Sequence, residues 1–107
     1  MSLKAARMID LSTFVYVIKL VRPESFGRMS PQQEVIVDQH FEYLKKALIE
    51  GKLSLAGRCV NGEFGIVIFR AKSEKQANEF MKNDPAVKKG IMIAEIHPFR
   101  IALIEKN

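Results

Sequence analysis

The sequence predicts a single α+β domain whose elements follow the order β-α-β-β-α-β. Two segments, residues 31–50 and 74–82, follow helix-start signals and carry apolar residues at helical spacing. Four other segments are short and rich in β-branched and aromatic residues, which is typical of strands. An Asn-Gly pair between the second and third of these strands predicts a β-hairpin. Together these observations indicate one four-stranded sheet with two helices.

Length and composition agree with one globular domain over residues 1–107. The chain is long enough for one hydrophobic core, and 48% of its residues are hydrophobic while 27% are charged. A single cysteine excludes an intrachain disulfide. The sequence has no apolar run long enough to cross a membrane and no secretion signal, so we expect a cytoplasmic protein without membrane contact. Residues 1–12 are predicted to form an N-terminal arm.

The first half of the chain predicts one strand and the longer helix. Residues 13–21, TFVYVIKLV, are too short for an independent helix and have the composition of a strand. After a loop, Ser30 can cap a helix, Pro31 suits its first position, and Gln33 can complete a capping box. Gly51 is the residue expected to end this helix.

The middle of the chain predicts the hairpin. Residues 52–60, KLSLAGRCV, and residues 64–71, FGIVIFRA, both have the composition of strands. The turn between them contains Asn61 and Gly62, and we expect both of these residues to adopt positive φ angles.

The remainder of the chain predicts a helix, a short helical turn and a last strand. Ser73 begins a second capping-box pattern, and Asp84 can cap a further turn that starts at Pro85. Residues 91–104 are predicted to form the last strand, which lies at an edge or bends at Pro98, because proline has no N–H to donate. The completed order is that of ferredoxin-like folds, with a four-stranded antiparallel sheet and two helices on one face.

The central strands of this topology carry apolar side chains on both faces of the sheet. In the first strand Phe14, Tyr16, Ile18 and Leu20 alternate with Val15 and Val17, and in the third Phe64, Ile66 and Ile68 alternate with Val67 and Phe69. Two helices cover only one face, and a monomer rarely leaves a second apolar face in water. We therefore expect a homodimer that packs through this sheet face.

A histidine lies within the apolar stripe of the longer helix. At 3.6 residues per turn, His40 falls inside the inward stripe formed by Ile36, Val37, Phe41, Leu44, Ala47 and Leu48. Its partner is either a backbone carbonyl, as for an ordinary core histidine, or a carboxylate, which makes the ring a usable base near neutral pH. Asp84 has the plain role of a helix cap, but a capping aspartate can also hold a histidine.

Three segments carry a family resemblance. They are HFEYLKKALIEGKLSLAG, which begins at His40, NDPAVKKGI, which contains Asp84, and HPF near the end of the chain. Together they resemble the YCII-related domain proteins, small members of the dimeric α/β barrel superfamily, over about residues 13–100. The resemblance implies that His40 and Asp84 are a catalytic pair. Because related barrels include muconolactone isomerases and dehydrochlorinases, it also implies acid–base chemistry on a small organic acid or phenolic ring compound.

Two further residues are candidates for binding a substrate. The family usually has Gly-Pro where this chain has Gly57-Arg58, so Arg58 either offers a guanidinium to an anionic ligand or is a solvated charge on an edge strand. Tyr16 either lines the pocket or is packed within the sheet. Two histidines and one cysteine spread over the chain do not form a ligand set, so we expect no metal, and we expect no cofactor.

Two other functions are compatible with the same order of elements. RNA-recognition domains share it, but here base stacking would depend on Tyr16 and Phe64 alone, and Glu63 would repel phosphate. The net charge of +5 comes from scattered basic residues, so nucleic-acid binding is the less favoured interpretation. The other alternative is a non-catalytic dimeric protein that binds a small ligand in the same cleft.

Overall fold

A computed structural model of the chain describes residues 12–105. The elements in order are β1 (Ser12–Leu20), a 3₁₀ turn (Pro23–Ser25), α1 (Pro31–Ile49), β2 (Leu53–Arg58), β3 (Gly65–Ala71), α2 (Glu74–Lys82), α3 (Pro85–Lys88) and β4 (Met92–Pro98). The predicted order is therefore confirmed. The predicted N-terminal arm, residues 1–12, lies outside the described residues except for Ser12, at which β1 begins.

The four strands form one antiparallel sheet in the order β2-β3-β1-β4. The central strands are β1 and β3, as the topology predicts, and Tyr16 in β1 pairs with Val67 on one side and Ile96 on the other. The last strand lies at an edge and ends at Pro98, so the missing proline N–H interrupts no ladder within the sheet. This strand is shorter than the predicted residues 91–104.

The longer helix begins and ends where its sequence signals predict. The Ser30 side chain accepts a hydrogen bond from the Gln33 backbone N–H, and the Gln33 side chain accepts one from the Ser30 N–H. This capping box satisfies two of the backbone groups that a helix start leaves free. Gly51, beyond the last turn, has a φ of 80°, a conformation that costs glycine little.

The hairpin is present, but its turn differs from the prediction. Six residues separate β2 from β3, and within them only Gly62 has a positive φ, of 80°. Asn61 keeps an ordinary backbone and instead uses its side chain, whose oxygen accepts the Glu63 N–H at 2.9 Å. The expectation that both turn residues have positive φ was wrong, because the longer loop needs only one left-handed residue.

One face of the sheet packs against the helices and forms the core. Phe14, Tyr16 and Ile18 of β1 and Val67 and Phe69 of β3 are buried there. They contact side chains from all three helices, which are Leu44, Ala47, Ala77, Met81 and Ala86. Aromatic rings meet within this layer, since the ring centres of Tyr16 and Phe69 are 5.8 Å apart.

The opposite face of the sheet carries no helix, and its centre is apolar. Val15 and Ile68 are buried there among their neighbours, Val17 and Ile66 are half-buried, and Ile93 is exposed. Within residues 12–105, no helix is both long and apolar enough to cross a membrane.

The inward stripe of α1 is narrower than predicted. Of the predicted stripe, Leu44 and Ala47 are buried, whereas Phe41 is 61% exposed and Leu48 is 54% exposed. These two side chains line a cavity beside the sheet, so this edge of the helix does not reach the core. Helical periodicity shows which side of a helix is apolar, but not how much of that side the sheet covers.

Candidate active site

His40 and Asp84 meet in the folded chain although 44 positions separate them. Nδ1 of His40 lies 2.7 Å from Oδ1 and 2.8 Å from Oδ2 of Asp84. His40 is in the middle of α1, and Asp84 is the residue before α3. The partner of Nδ1 is therefore a carboxylate and not a backbone carbonyl.

Asp84 is fully buried and accepts hydrogen bonds from three directions. Besides His40, the Tyr16 hydroxyl donates to its Oδ2 at 2.6 Å, and the Ala86 backbone N–H donates to its Oδ1 at 3.0 Å. Among the described residues, no buried side-chain nitrogen or oxygen lacks a partner. A buried carboxylate is costly unless it is paired and hydrogen-bonded, and these three donors meet that condition.

The local sequence explains how Asp84 reaches this position. Its side chain accepts the Ala86 N–H, the usual contact of a helix-capping aspartate, and Pro85 occupies the first helical position. The predicted helix cap and the predicted histidine partner are therefore two roles of one carboxylate. Neither role excludes the other, because the two oxygens together can accept about four hydrogen bonds.

Tyr16 lies behind the aspartate and away from solvent. It has no exposed surface, so it belongs to the core and does not line the cavity. Burial, followed by the charge of Asp84 and the hydrogen bond to it, raises the pKa of Tyr16 far above its ordinary range. The hydroxyl therefore stays protonated and donates to the carboxylate.

A second tyrosine, Tyr43, was not identified from the sequence. It is three residues after His40 on α1, and its hydroxyl donates to the Phe80 carbonyl at 2.8 Å while the two rings stack at 5.0 Å. Burial, and then the charge of Asp84, raises the pKa of Tyr43 to about 12. Its position at i+3 from the histidine was the available signal, because such residues share one side of a helix.

A cavity of about 840 Å³ lies between α1 and the β2 side of the sheet, and His40 lines it. The surrounding side chains are mostly apolar and include Phe41, Leu44, Leu53 and Val67. Of the three hydrogen-bonded side chains, His40 alone reaches this space, and 16% of its side chain is exposed. Asp84 and Tyr16 are behind the ring.

This arrangement determines what each nitrogen of His40 can do. An ionised carboxylate only accepts hydrogen bonds, so Nδ1, which contacts Asp84, carries a proton. The neutral ring then has its lone pair on Nε2, for which residues 12–105 provide no hydrogen-bond partner. A neutral imidazole held in this way can accept a proton from a molecule in the cavity.

Arg58, at the end of β2, is exposed and lines the cavity. Its guanidinium donates to the carbonyl oxygens of Cys59 and Val60 and lies over the Phe26 ring. The described part of the chain contains no group of three or more His, Cys, Asp or Glu side chains that could hold a metal ion.

The chain has matches among known families and solved structures. The sequence pattern of the YCII-related domain family matches residues 14–100. The 5-chloro-2-hydroxyhydroquinone dehydrochlorinase from Burkholderia phenoliruptrix, in complex with 2,5-dihydroxybenzoquinone, has a TM-score of 0.57 and 19% identity, over 81% of this chain and 93% of that one. No curated protein matches the chain in sequence.

Two other solved structures are similar at lower TM-scores. A cofactor-independent oxygenase from Streptomyces nogalater has a TM-score of 0.45 and 10% identity, over 89% of this chain and 96% of that one. A dimeric ferredoxin-like protein from an uncultured marine organism has a TM-score of 0.46 and 11% identity, over 94% and 99%. At such identities, structural similarity concerns the fold alone. The strand order, together with the similarity to the Burkholderia protein, confirms the predicted ferredoxin-like α+β architecture.

Proposed function

This chain belongs to the YCII-related domain family, and we propose that it is an enzyme whose His40–Asp84 pair performs general acid–base chemistry on a small organic acid or phenolic ring compound. One observation carries the proposal: a buried carboxylate holds one nitrogen of an imidazole whose ring lines a large cavity. Hydrogen-bonded His and carboxylate pairs of this kind are common acid–base catalysts. We propose that neither a metal nor a cofactor takes part.

The first chemical step is transfer of a proton from the substrate to His40. Nε2 takes the proton, and the imidazolium that forms is stabilised by the negative charge of Asp84 next to Nδ1. In the second step, Nε2 returns the proton to another position of the substrate or to a leaving group. In neither step does the proton move to Asp84.

Tyr16 and Ala86 act as positioning groups for Asp84. Their donated hydrogen bonds orient the carboxylate and stabilise its negative charge, although it has no contact with water. The role predicted for Tyr16 changes accordingly. We propose that it acts through Asp84 and does not contact the substrate.

The proposed substrate class takes support from one structure of the same fold. The Burkholderia protein is named a dehydrochlorinase of a chlorinated hydroquinone and was crystallised with a dihydroxybenzoquinone. Loss of hydrogen chloride from such a ring requires a group that removes a proton, which is the role proposed for His40. A mostly apolar cavity suits a ring compound.

A homodimer through the open sheet face is part of the proposal. The half-buried Val17 and Ile66 and the exposed Ile93 lie on this face, where no helix covers them. A second copy of the same face would cover them. The RNA-recognition alternative loses support, since Tyr16 points into the core and cannot stack on a base.

Proton abstraction can be tested without a known product. A panel of chlorinated hydroquinones, small keto acids and hydroxylated aromatic acids with one ring or several is incubated with the protein in D₂O, and NMR follows both hydrogen exchange and chloride loss. If a compound reacts, His40→Gln lowers the rate by about 10² to 10⁴, the usual contribution of a general base. The control is Lys72→Gln, which changes an exposed side chain outside the cavity lining. Equal rates in wild type and His40→Gln would refute the proposal.

A further inference from the structure

Arg58 lies beside the cavity and is exposed. Its Nη1 donates to the carbonyl oxygens of Cys59 at 3.0 Å and Val60 at 3.2 Å, and its Cζ lies 5.2 Å from the centre of the Phe26 ring. That ring packs against Gly62, since a Cβ added there would be 2.4 Å from a Phe26 ring atom. The guanidinium therefore contacts both the hairpin loop and the loop before α1.

The same guanidinium keeps donors available for a ligand. Arginine has five N–H groups, and the two carbonyl contacts use only those of Nη1. No carboxylate among residues 12–105 forms an ion pair with Arg58 or with Lys45, another cation that lines the cavity. Glu34 is the one acidic side chain of the lining within that range. This balance favours a negatively charged ligand.

The cavity is much larger than a single aromatic ring requires. A closed protein cavity of about 150 Å³ holds benzene, and this cavity, which is half open to solvent, has a volume of about 840 Å³. Its walls include apolar side chains from both layers, among them Phe41 and Leu48 of α1 and Leu53 and Ala56 of β2. Apolar walls of this extent favour an apolar body with more than one ring.

The sheet register places Arg58 apart from Tyr16, which donates to the carboxylate that holds His40. Ala56 and Tyr16 both pair with Val67, so they share one level of the sheet, whereas Arg58 is two residues further along β2. With strands about 4.8 Å apart and a rise of about 3.3 Å per residue, the Cα atoms of Arg58 and Tyr16 are about 12 Å apart. His40 contacts the same carboxylate as Tyr16, and both His40 and Arg58 line the cavity.

We propose that the cavity binds an aromatic anion with an extended, multi-ring body, whose charged group pairs with Arg58 while its reacting position faces Nε2 of His40. The proposal depends on the proposed function in taking this cavity as the substrate site. It adds the charge, the size and the orientation of the ligand. A single-ring acid would fill only a small part of the cavity.

Binding of two matched fluorescent probes tests this proposal. The probe 8-anilinonaphthalene-1-sulfonate is an aromatic anion with three rings, and N-phenyl-1-naphthylamine has the same rings without the sulfonate. We expect the anion to bind at least about tenfold more tightly, a difference of about 1.4 kcal/mol. Benzenesulfonate, which has the charge and one ring, should fail to displace it at millimolar concentration.

Substitutions at two residues of the cavity lining test where the probes bind. Arg58→Gln should weaken binding of the sulfonate by about fivefold or more and change binding of the neutral probe by less than about twofold. Ala56→Phe, which fills part of the cavity, should weaken both probes, and the smaller Ala56→Leu serves if the first variant does not fold. Lys72→Gln, an exposed lysine outside the cavity lining, is the matched control and should bind as wild type does.

The results separate this inference from the proposed function. Turnover by His40→Gln and probe binding by Arg58→Gln are measured separately, because the charged group contacts Arg58 while the proton moves at His40. Equal binding of both probes, or binding of the sulfonate that Arg58→Gln and the Ala56 variants leave unchanged, would overturn the inference. Neither result would alter the prediction that His40 moves a proton.

Discussion

The Tyr16 hydroxyl donates a 2.6 Å hydrogen bond to Asp84, 68 positions further along the chain, inside the core. This bond joins the central strand β1 to the start of α3, and His40 of α1 reaches the same carboxylate from the cavity side. The candidate site is therefore a set of hydrogen bonds that connects the sheet to two helices. Tyr16, Asp84 and His40 therefore contribute to stability as well as to the proposed chemistry, and different measurements distinguish the two contributions.

Removing the Tyr16 hydroxyl should affect both stability and turnover. Tyr16→Phe deletes a donor to a buried carboxylate, and we expect a loss of about 1.5 to 3 kcal/mol in the free energy of unfolding. Turnover of an identified substrate should fall mainly through kcat, since Tyr16 does not contact the cavity. Tyr43→Phe is the control, because its hydroxyl bonds to a backbone carbonyl and not to Asp84. A Tyr16→Phe protein with wild-type kcat would contradict a positioning role.

Replacing Asp84 by asparagine should reverse the proton arrangement on His40. The amide can donate to Nδ1, which would move the ring proton to Nε2 and remove the lone pair from the cavity side. In Ser-His-Asp hydrolases the equivalent change lowers kcat by about 10⁴, and we expect a loss of that order here. ¹⁵N NMR of the imidazole measures the tautomer directly. An unchanged tautomer combined with full turnover would exclude the proposed role of Asp84.

The two tyrosines should make stability fall at high pH. The pKa of Tyr43 is raised from 10.0 to about 12, and that of Tyr16 is also raised. At a pH between the unfolded pKa of 10.0 and the raised folded pKa values, the native state holds protons that the unfolded state has lost. The stabilisation is thus complete below pH 10 and declines as pH rises through the range of the folded pKa values.

Absorbance at 295 nm checks this alkaline behaviour, because these are the only two tyrosines in the chain and it has no tryptophan. The folded protein at pH 11 should show little tyrosinate, and unfolding by denaturant at the same pH should produce it. Full ionisation of both phenols at pH 10.5 in the folded protein would show that neither is protected.

The open sheet face should control assembly. We expect light scattering after size exclusion to give about twice the chain mass of 12.2 kDa at micromolar concentration. Val17→Lys, which places a charge at a half-buried position of this face, should shift the mass towards that of a monomer. Glu79→Lys, on the exposed side of α2, is the control and should remain dimeric. A monomeric wild type would refute the predicted interface.

Gly62 should tolerate no side chain while Phe26 is in place. Its φ of 80° is unfavourable for alanine, and the added Cβ would lie 2.4 Å from the Phe26 ring. We expect Gly62→Ala to cost about 1 to 3 kcal/mol, and less than that when combined with Phe26→Ala, since the clash is then removed. Gly57→Ala is the control, because nothing lies within 4 Å of its added Cβ. Thermal unfolding of the wild type, Gly62→Ala, Phe26→Ala and the double variant measures the coupling between residues 62 and 26.

Much of this fold could be predicted from local signals. The capping box at Ser30, the break at Gly51 and the strand composition depend on neighbouring residues, and all of them are found in the structure. The turn at Asn61 was predicted less well. A hairpin loop of six residues can be closed in more than one way, and the Asn-Gly pair does not specify the loop length.

The site could be predicted only in part. His40 was recognisable as a polar residue in an apolar stripe, and the family resemblance connected it with Asp84. The hydrogen bond from Tyr16 could not be anticipated, because it depends on which face of β1 lies under α3. The exposure of Phe41 and the cavity beside it depend on how α1 lies over the sheet, which helical periodicity does not determine.

The double role of Asp84 has a consequence for interpreting related sequences. The same oxygen that faces His40 also caps α3 through the Ala86 N–H, so a descendant that abandoned the reaction would still lose stability if it replaced the acid. Within residues 12–105, the His40 side chain forms no hydrogen bond except the one to Asp84. In a set of homologues, an aspartate retained beside a lost histidine would therefore identify a former enzyme that kept its architecture.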